Sequence, residues 1–318
     1  MSFIGNIGKA ISLLIKTWPF IAIRFAALLA ASVISFVLFV ILIVALILFG
    51  MNDILGLGIL LAIILFAGFS GIFSLLARYF LFLYDAGHVA VMAKILKGEG
   101  SEVPSTMKQL DYGKDVVIKR IGSLSVLYVF KAIVWGILRA INRAVGFLSG
   151  FLPGSIRQLI RFVMAVINRA IFLIFDMILS YLVFAPAKNA WLCAADALVI
   201  YKKNIGRFLG VAAFLVIGSY TISYLGVILG YALFFAAYAG VTAAQDIVQV
   251  ALVIFALIFL FMFFEALRQC LVIPFSRALV LCEFYETLQK TTIGKEDYGI
   301  LNDIPQFRDL LAKAKSGA

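Results

Sequence analysis

"FAALLAASVISFVLFVILIVALILFGMN", residues 25–52, contains no Asp, Glu, Lys or Arg. About 20 apolar residues in a helix cross a hydrocarbon core about 30 Å thick, so this stretch alone reads as a membrane span. The uncharged stretches 54–77 and 208–245 are of the same kind, and 247–264 adds another that ends at Glu265 and Arg268. The whole composition agrees. Of 318 residues, 64% are hydrophobic and 14% charged, against about a quarter charged in soluble domains.

These runs predict an all-α, polytopic integral membrane helical bundle of about six spans. The spans fall near 25–49, 54–84, 121–142, 168–187, 207–239 and 247–273. The second is expected to continue through Arg78 toward Lys97 as one long helix. A single transmembrane domain then covers 1–292, and 293–318 is a polar tail. Two segments read as amphipathic interfacial helices. One is 1–24, with Trp18 at headgroup level. The other is 188–204, "KNAWLCAADALVIYKKN", basic at both ends. The first apolar run is too long for a signal-peptide h-region.

Lys and Arg outnumber Asp and Glu by 27 to 16, a net charge of +11. In a membrane protein this excess marks cytoplasmic loops facing anionic lipid, and no nucleic-acid-binding motif accompanies it. The basic segments 9–24, 94–120 and 188–207 and the tail place both termini in the cytoplasm. The acidic turns at Asp53 and Asp246 then lie outside. The hairpin around Asp53 is echoed by the one around Asp246, as a parallel internal repeat would be.

Residues 131–170 complicate this topology. They carry Lys131, Arg139, Arg143, Arg157, Arg161 and Arg169 without one acidic residue. The spacings keep each trio within about 120° of its helix, on either side of the turn "GFLSGFLPG". The first reading has the two arms re-enter from the cytoplasmic face, with Arg139, Arg143, Arg157, Arg161 and Arg169 reaching lipid phosphates. Alternatively the arms line an anion path, or pair with carboxylates elsewhere.

Asp176 and Glu265 sit within spans, where a carboxylate costs about 2.5–3.5 kcal/mol on insertion scales and needs a partner. Arg268 is near Glu265, and Arg169 lies two turns before Asp176. Tyr220, Tyr224, Tyr231 and Tyr238 fall within about 40° of one another on a helix. Such a stripe is either packing or, beside a carboxylate, an aromatic face for an organic cation. Trp135, Tyr128 and Phe175 lie on neighbouring spans and would complete it. The candidate solute-binding set is therefore Asp176, Tyr220, Tyr224, Tyr231, Trp135 and Glu265.

No enzyme, metal or cofactor is expected. His88 is the only histidine, which leaves a local pair with Asp85 and no cluster. No nucleotide-binding glycine pattern occurs. The three cysteines are an odd number and read as buried or interfacial thiols.

Over roughly 110–292, and more loosely over 8–50, the chain resembles the C-terminal half of the choline-transporter-like family. The likeness rests on the order of Gly122-Ser123-Leu124, Asn168-Arg169-Ala170 and Ala187-Lys188-Asn189-Ala190. It implies a transporter of a small organic cation of choline type. The alternatives are an anion-permeable channel lined by the arginine hairpin, or a membrane scaffold. Expected partners are anionic lipid headgroups and a small solute, with an oligomer left open.

Overall fold

The computed structural model describes residues 3–51, 55–98, 106–185, 190–241 and 247–299. Among the described residues there are nine α-helices, one 3-10 turn and no strand. In order these are α1 (Phe3–Lys16), α2 (Trp18–Met51), α3 (Leu55–Leu96), α4 (Thr106–Lys119), α5 (Ile121–Ser149), α6 (Gly154–Phe184), α7 (Ala190–Lys203), α8 (Ile205–Val241), α9 (Ile247–Lys290) and the 3-10 turn Lys295–Tyr298. Among the described residues, five segments are long and apolar enough to cross a membrane: Trp18–Leu42, Leu76–Leu96, Ile121–Ser149, Gly154–Phe184 and Ile205–Ala236. The protein is an all-α membrane helical bundle, as the apolar runs predict. Asp53, Asp246, Ala187-Lys188-Asn189 and the tail from 300 lie outside the described residues.

The helices divide into two compact units. One comprises 1–18, 82–220 and 274–318, and the other 19–81 and 221–273. The second unit thus gathers the two hairpins whose likeness the sequence suggests. Within it, Phe25 meets Phe263 edge-on at 5.7 Å.

In the first unit, α1 buries Asn6, Ala10 and Leu13 along one stripe. The chain bends at Thr17, whose hydroxyl donates to the Leu13 carbonyl at 2.8 Å. Pro19 follows in the first turn of α2, where a missing N–H costs nothing. α3 continues through Arg78 to Leu96 as a single helix, as expected. It closes on Gly98, the residue that takes a positive φ of 72°, the usual way for a helix to end. Gly87 of α3 faces Gly113 of α4 so closely that a Cβ would stand 3.2 Å from the Gly113 carbonyl. Only glycine permits that approach without a shift.

α5 and α6 run without interruption through their arginines, beyond the bounds 121–142 and 168–187. A turn over Gly150–Pro153 joins them. The end of α6 is capped by two cations: Arg120 donates to the Leu182 carbonyl at 2.6 Å and Lys97 to the Phe184 carbonyl at 3.1 Å. Positive groups at that end complement both the orphan carbonyls and the helix dipole.

α7 departs from the expectation for 188–204. The helix forms, but Cys193 through Ile200 are all buried in succession, so it is enclosed on every side. A surface helix would bury one stripe only. Its small residues Ala194, Ala195 and Ala197 let neighbours close over it, and this makes it part of the core. That core centres on Leu173, Met177, Ile200, Phe208, Leu279 and Phe284, each fully buried. Tyr201 stacks on Phe208 at 5.5 Å and Tyr181 meets Phe284 edge-on at 5.7 Å.

Candidate functional site

The charged side chains that apolar helices carry inward converge in the first unit. Asp85 on α3, Asp176 on α6 and Arg277 on α9 form one ionic group. Arg277 Nη1 lies 2.5 Å from Asp85 Oδ2, and its Nε lies 3.5 Å from Asp176 Oδ1. The side chains are 5%, 13% and 11% exposed in the order Asp85, Asp176, Arg277. Desolvation on that scale is tolerable only because opposite charges meet.

Lys131 on α5 and Arg169 on α6 join this group electrostatically. Both lie close enough to Asp176 and Arg277 to feel their charges, although no ion pair joins Lys131 to Asp176 among the described residues. The Lys131 ammonium stands 5.7 Å from the centre of the Phe82 ring, within the range of a cation–π contact. Tyr128 backs that ring at 5.3 Å. Phe175, next to Asp176, meets Phe130 at 5.7 Å and Phe172 at 6.3 Å. Arg169 Nε is buried and has no hydrogen-bond partner. Beside it, Asn168 donates to Asn142 at 3.0 Å and ties α6 to α5. Three basic side chains, Lys131, Arg169 and Arg277, thus stand near two carboxyl side chains, Asp85 and Asp176.

The partner of Asp176 is therefore Arg277 from the last helix, and Arg169 acts on it only at longer range. Asp85 pairs with Arg277. The His88 Nε2 instead meets the Thr17 hydroxyl at 2.8 Å. That hydroxyl gives its proton to Leu13, so His88 must donate to it, which fixes the proton on Nε2. Arg277 was the residue that sequence reasoning missed. Its signal was a lone cation in "IPFSRALVLC", a position as apolar as those that drew attention to Asp176.

The other candidates are distributed differently. Glu265 receives both Nε and Nη2 of Arg268, at 2.8 and 2.6 Å, and Gln269 at 2.9 Å. It lies in the second unit, as do Tyr224 and Tyr231. Tyr220, Tyr224 and Tyr231 are 45%, 69% and 63% exposed, so this face of α8 stands open. The Tyr238 side chain lies outside the described ones. The Trp135 ring already carries a cation of its own, the Arg139 guanidinium 3.5 Å from its centre.

The arginines of the basic hairpin have separate duties. Arg157 donates to the carbonyls of Ser149, Gly150 and Leu152 at 3.2, 2.7 and 3.1 Å, and so caps α5 and fixes the turn. Arg143 and Arg161 are exposed, as are Phe147, Leu148 and Phe151 at the tip. Among the described residues no group of three His, Cys, Asp or Glu could hold a metal.

A second ionic knot joins α1, α8 and α9. Arg207 binds Glu283 at 2.5 Å and Glu286 at 2.9 Å. Glu286 also receives Asn6 at 2.7 Å and Lys290 at 2.6 Å. The hydrogen bonds from Lys290, Asn6 and Arg207 hold its carboxyl well below the usual carboxylate range. Nearby, burial pushes the Cys282 thiol up to about 12, and Cys193, Cys270 and Cys282 are buried and form no disulfide.

The fold and this buried ionic group define a class, the integral membrane helical proteins with charge inside the bundle. Compared with known protein families, curated proteins and solved structures, the chain matches none.

Proposed function

We propose that the chain is a membrane transporter of a small organic cation of choline type. Its binding centre is the corner of the buried group formed by Asp176, Phe82 and Tyr128. The observation that carries this reading is the Lys131 ammonium 5.7 Å from the centre of the Phe82 ring, in the unit that also buries Asp85 and Asp176. A ring face and a carboxylate about one ammonium is the chemistry by which quaternary ammonium groups are recognised. Asp176 is also the more loosely held carboxylate, 3.5 Å from Arg277 where Asp85 is 2.5 Å away. Ionisable groups inside a membrane bundle mark solute and ion paths. The sequence resemblance to the choline-transporter-like family points the same way. The exposed Arg143 and Arg161 serve anionic headgroups on the cytoplasmic side, where both termini also lie.

One observation favours a different solute. Three basic side chains stand near two carboxyl side chains, and Arg169 Nε is buried without a partner, an arrangement that suits a small anion. Thermal stability of the detergent-purified protein in choline, chloride, phosphate and a zwitterionic control separates the readings. A ligand at 100 times its Kd adds about 2.7 kcal/mol. Stabilisation by choline alone supports cation transport. Stabilisation by chloride or phosphate, with choline inert, replaces it with anion permeation. If no ligand acts, a scaffold is the better description.

A further inference from the structure

We propose that Asn168 and Arg169 form a lipid site on the α5–α6 hairpin, one that takes a phosphodiester headgroup whose alcohol ends in a hydrogen-bond donor. Two atoms of these adjacent residues carry the inference. Arg169 Nε and Asn168 Oδ1 are both buried, and neither has a hydrogen-bond partner among the described residues. Asn168 donates through its amide nitrogen to Asn142 across the two helices at 3.0 Å, so the carbonyl oxygen is the end left over. Buried polar groups are otherwise paired almost without exception. The unmet demands are of opposite kinds: the guanidinium N–H needs an acceptor, and the amide oxygen needs a donor. A bare anion such as chloride answers the first and not the second. A phosphate oxygen suits the guanidinium in charge and in geometry, and an ammonium or hydroxyl two carbons further along answers the amide.

The level on the hairpin fits a headgroup. Between the two helices, Phe130 meets Phe175 at 5.7 Å and Asn142 meets Asn168 at 3.0 Å, so Trp135 and Arg139 lie between those two levels on α5. There the Arg139 guanidinium stands 3.5 Å from the centre of the Trp135 ring. An amphipathic ring with a cation reaching outward is the pattern of a membrane interface. The sequence changes character at the same level. Arg143, Arg157 and Arg161 lie between it and the tip, whereas 170–187 contains no Lys or Arg. Asn168 and Arg169 are half-buried as residues, which leaves part of each at the surface of the hairpin. Ile141 and Ile167, beside the two asparagines, are 45% and 39% exposed and offer apolar surface to acyl chains. The site differs from the exposed Arg143 and Arg161, which attract any anionic surface. It is independent of the solute reading, since it shares no residue with the corner of Asp176, Phe82 and Tyr128.

The test is lipid binding to the full-length protein in detergent, read by native mass spectrometry, with phosphatidylethanolamine and phosphatidylcholine of the same acyl chains. The two headgroups carry the same net charge and differ in whether the nitrogen has a hydrogen to donate. A site that hydrogen-bonds a donor rejects the analogue that lacks it. Wild type should therefore bind phosphatidylethanolamine on the order of tenfold more tightly than phosphatidylcholine. Arg169→Gln should weaken phosphatidylethanolamine binding by a similar factor, and Asn168→Leu should erase the preference between the two lipids. Arg161→Gln, at an exposed arginine, should keep both affinity and preference. Equal binding of the two lipids by wild type overturns the site, and so does an equal loss in Arg161→Gln and Arg169→Gln. Inorganic phosphate that displaces phosphatidylethanolamine at millimolar concentration also overturns it, in favour of a free anion. Should Arg169→Gln fail to fold, Arg169→Lys answers in its place, because it keeps the charge and loses the Nε donor; undiminished binding there overturns the site. Choline binding is measured separately, and neither result decides the other.

Discussion

Arg277 Nη1 and Asp85 Oδ2 are 2.5 Å apart, and this contact joins the last long helix to the third one inside an apolar bundle. Breaking a buried pair by removing one member leaves a naked charge, at a cost of about 3–5 kcal/mol. Arg277→Gln should therefore destabilise the protein severely, and Asp85→Asn should do likewise. The double variant should recover much of the loss, because neither charge is then stranded. Thermal unfolding in detergent measures all three. Additive single effects would show that the two residues do not depend on each other.

Asp176→Asn keeps size and removes charge. Under cation transport it should weaken choline binding by a factor on the order of ten or more, since 1.4 kcal/mol is tenfold. Phe82→Leu should weaken it comparably by removing the ring. Tyr224→Leu, at an exposed position, should change stability by less than about 0.5 kcal/mol and leave binding alone. A large loss of choline binding in Tyr224→Leu would restore the tyrosine stripe as the aromatic face.

The hairpin tip makes a topological prediction. In a variant lacking Cys193, Cys270 and Cys282, a single cysteine at the exposed Ser155 should resist an impermeant thiol reagent added outside the cell. Ser149 is unsuitable, because it is buried and bonded to the Gly146 carbonyl. Ready external labelling at 155 would mean that α5 and α6 each cross the membrane.

Glu286 predicts an acid sensitivity. Its folded carboxyl is held below the ordinary value of about 4.3 by Lys290, Asn6 and Arg207. The stability it contributes is present above that ordinary value and is lost as pH falls toward the folded one. Wild type should lose thermal stability progressively below about pH 4.5, and Glu286→Gln should show a shallower decline from a lower start. Parallel curves would remove Glu286 as the cause.

The helical membrane class was legible because uncharged runs such as 25–52 and 208–245 admit no other reading. The long α3 was legible too, since nothing in "SLLARYFLFLYDAGHVAVMAKIL" interrupts a helix. The Glu265–Arg268 pair was also legible, three residues apart on one helix face. The hidden part was long-range. Asp176 finds its partner on α9, and no local spacing reveals which distant cation the fold delivers. The burial of α7 was hidden for a related reason. Its basic ends imitate a surface helix, while its enclosure depends on neighbours that periodicity does not record. Arg157 shows a third limit, because a guanidinium that caps three carbonyls has the same spacing as one that reaches for lipid.

The first unit is assembled from three pieces of chain, 1–18, 82–220 and 274–318, and this dictates an order of events at the ribosome. Asp85, Lys131 and Asp176 are synthesised and delivered to the membrane well before Arg277 exists. During that interval the nascent bundle holds two carboxylates whose principal counterion is still untranslated, with Lys131 and Arg169 as interim company. Asp85 and Asp176 thus enter the membrane before the guanidinium that pairs with both in the finished fold, and only the completion of α9 supplies it.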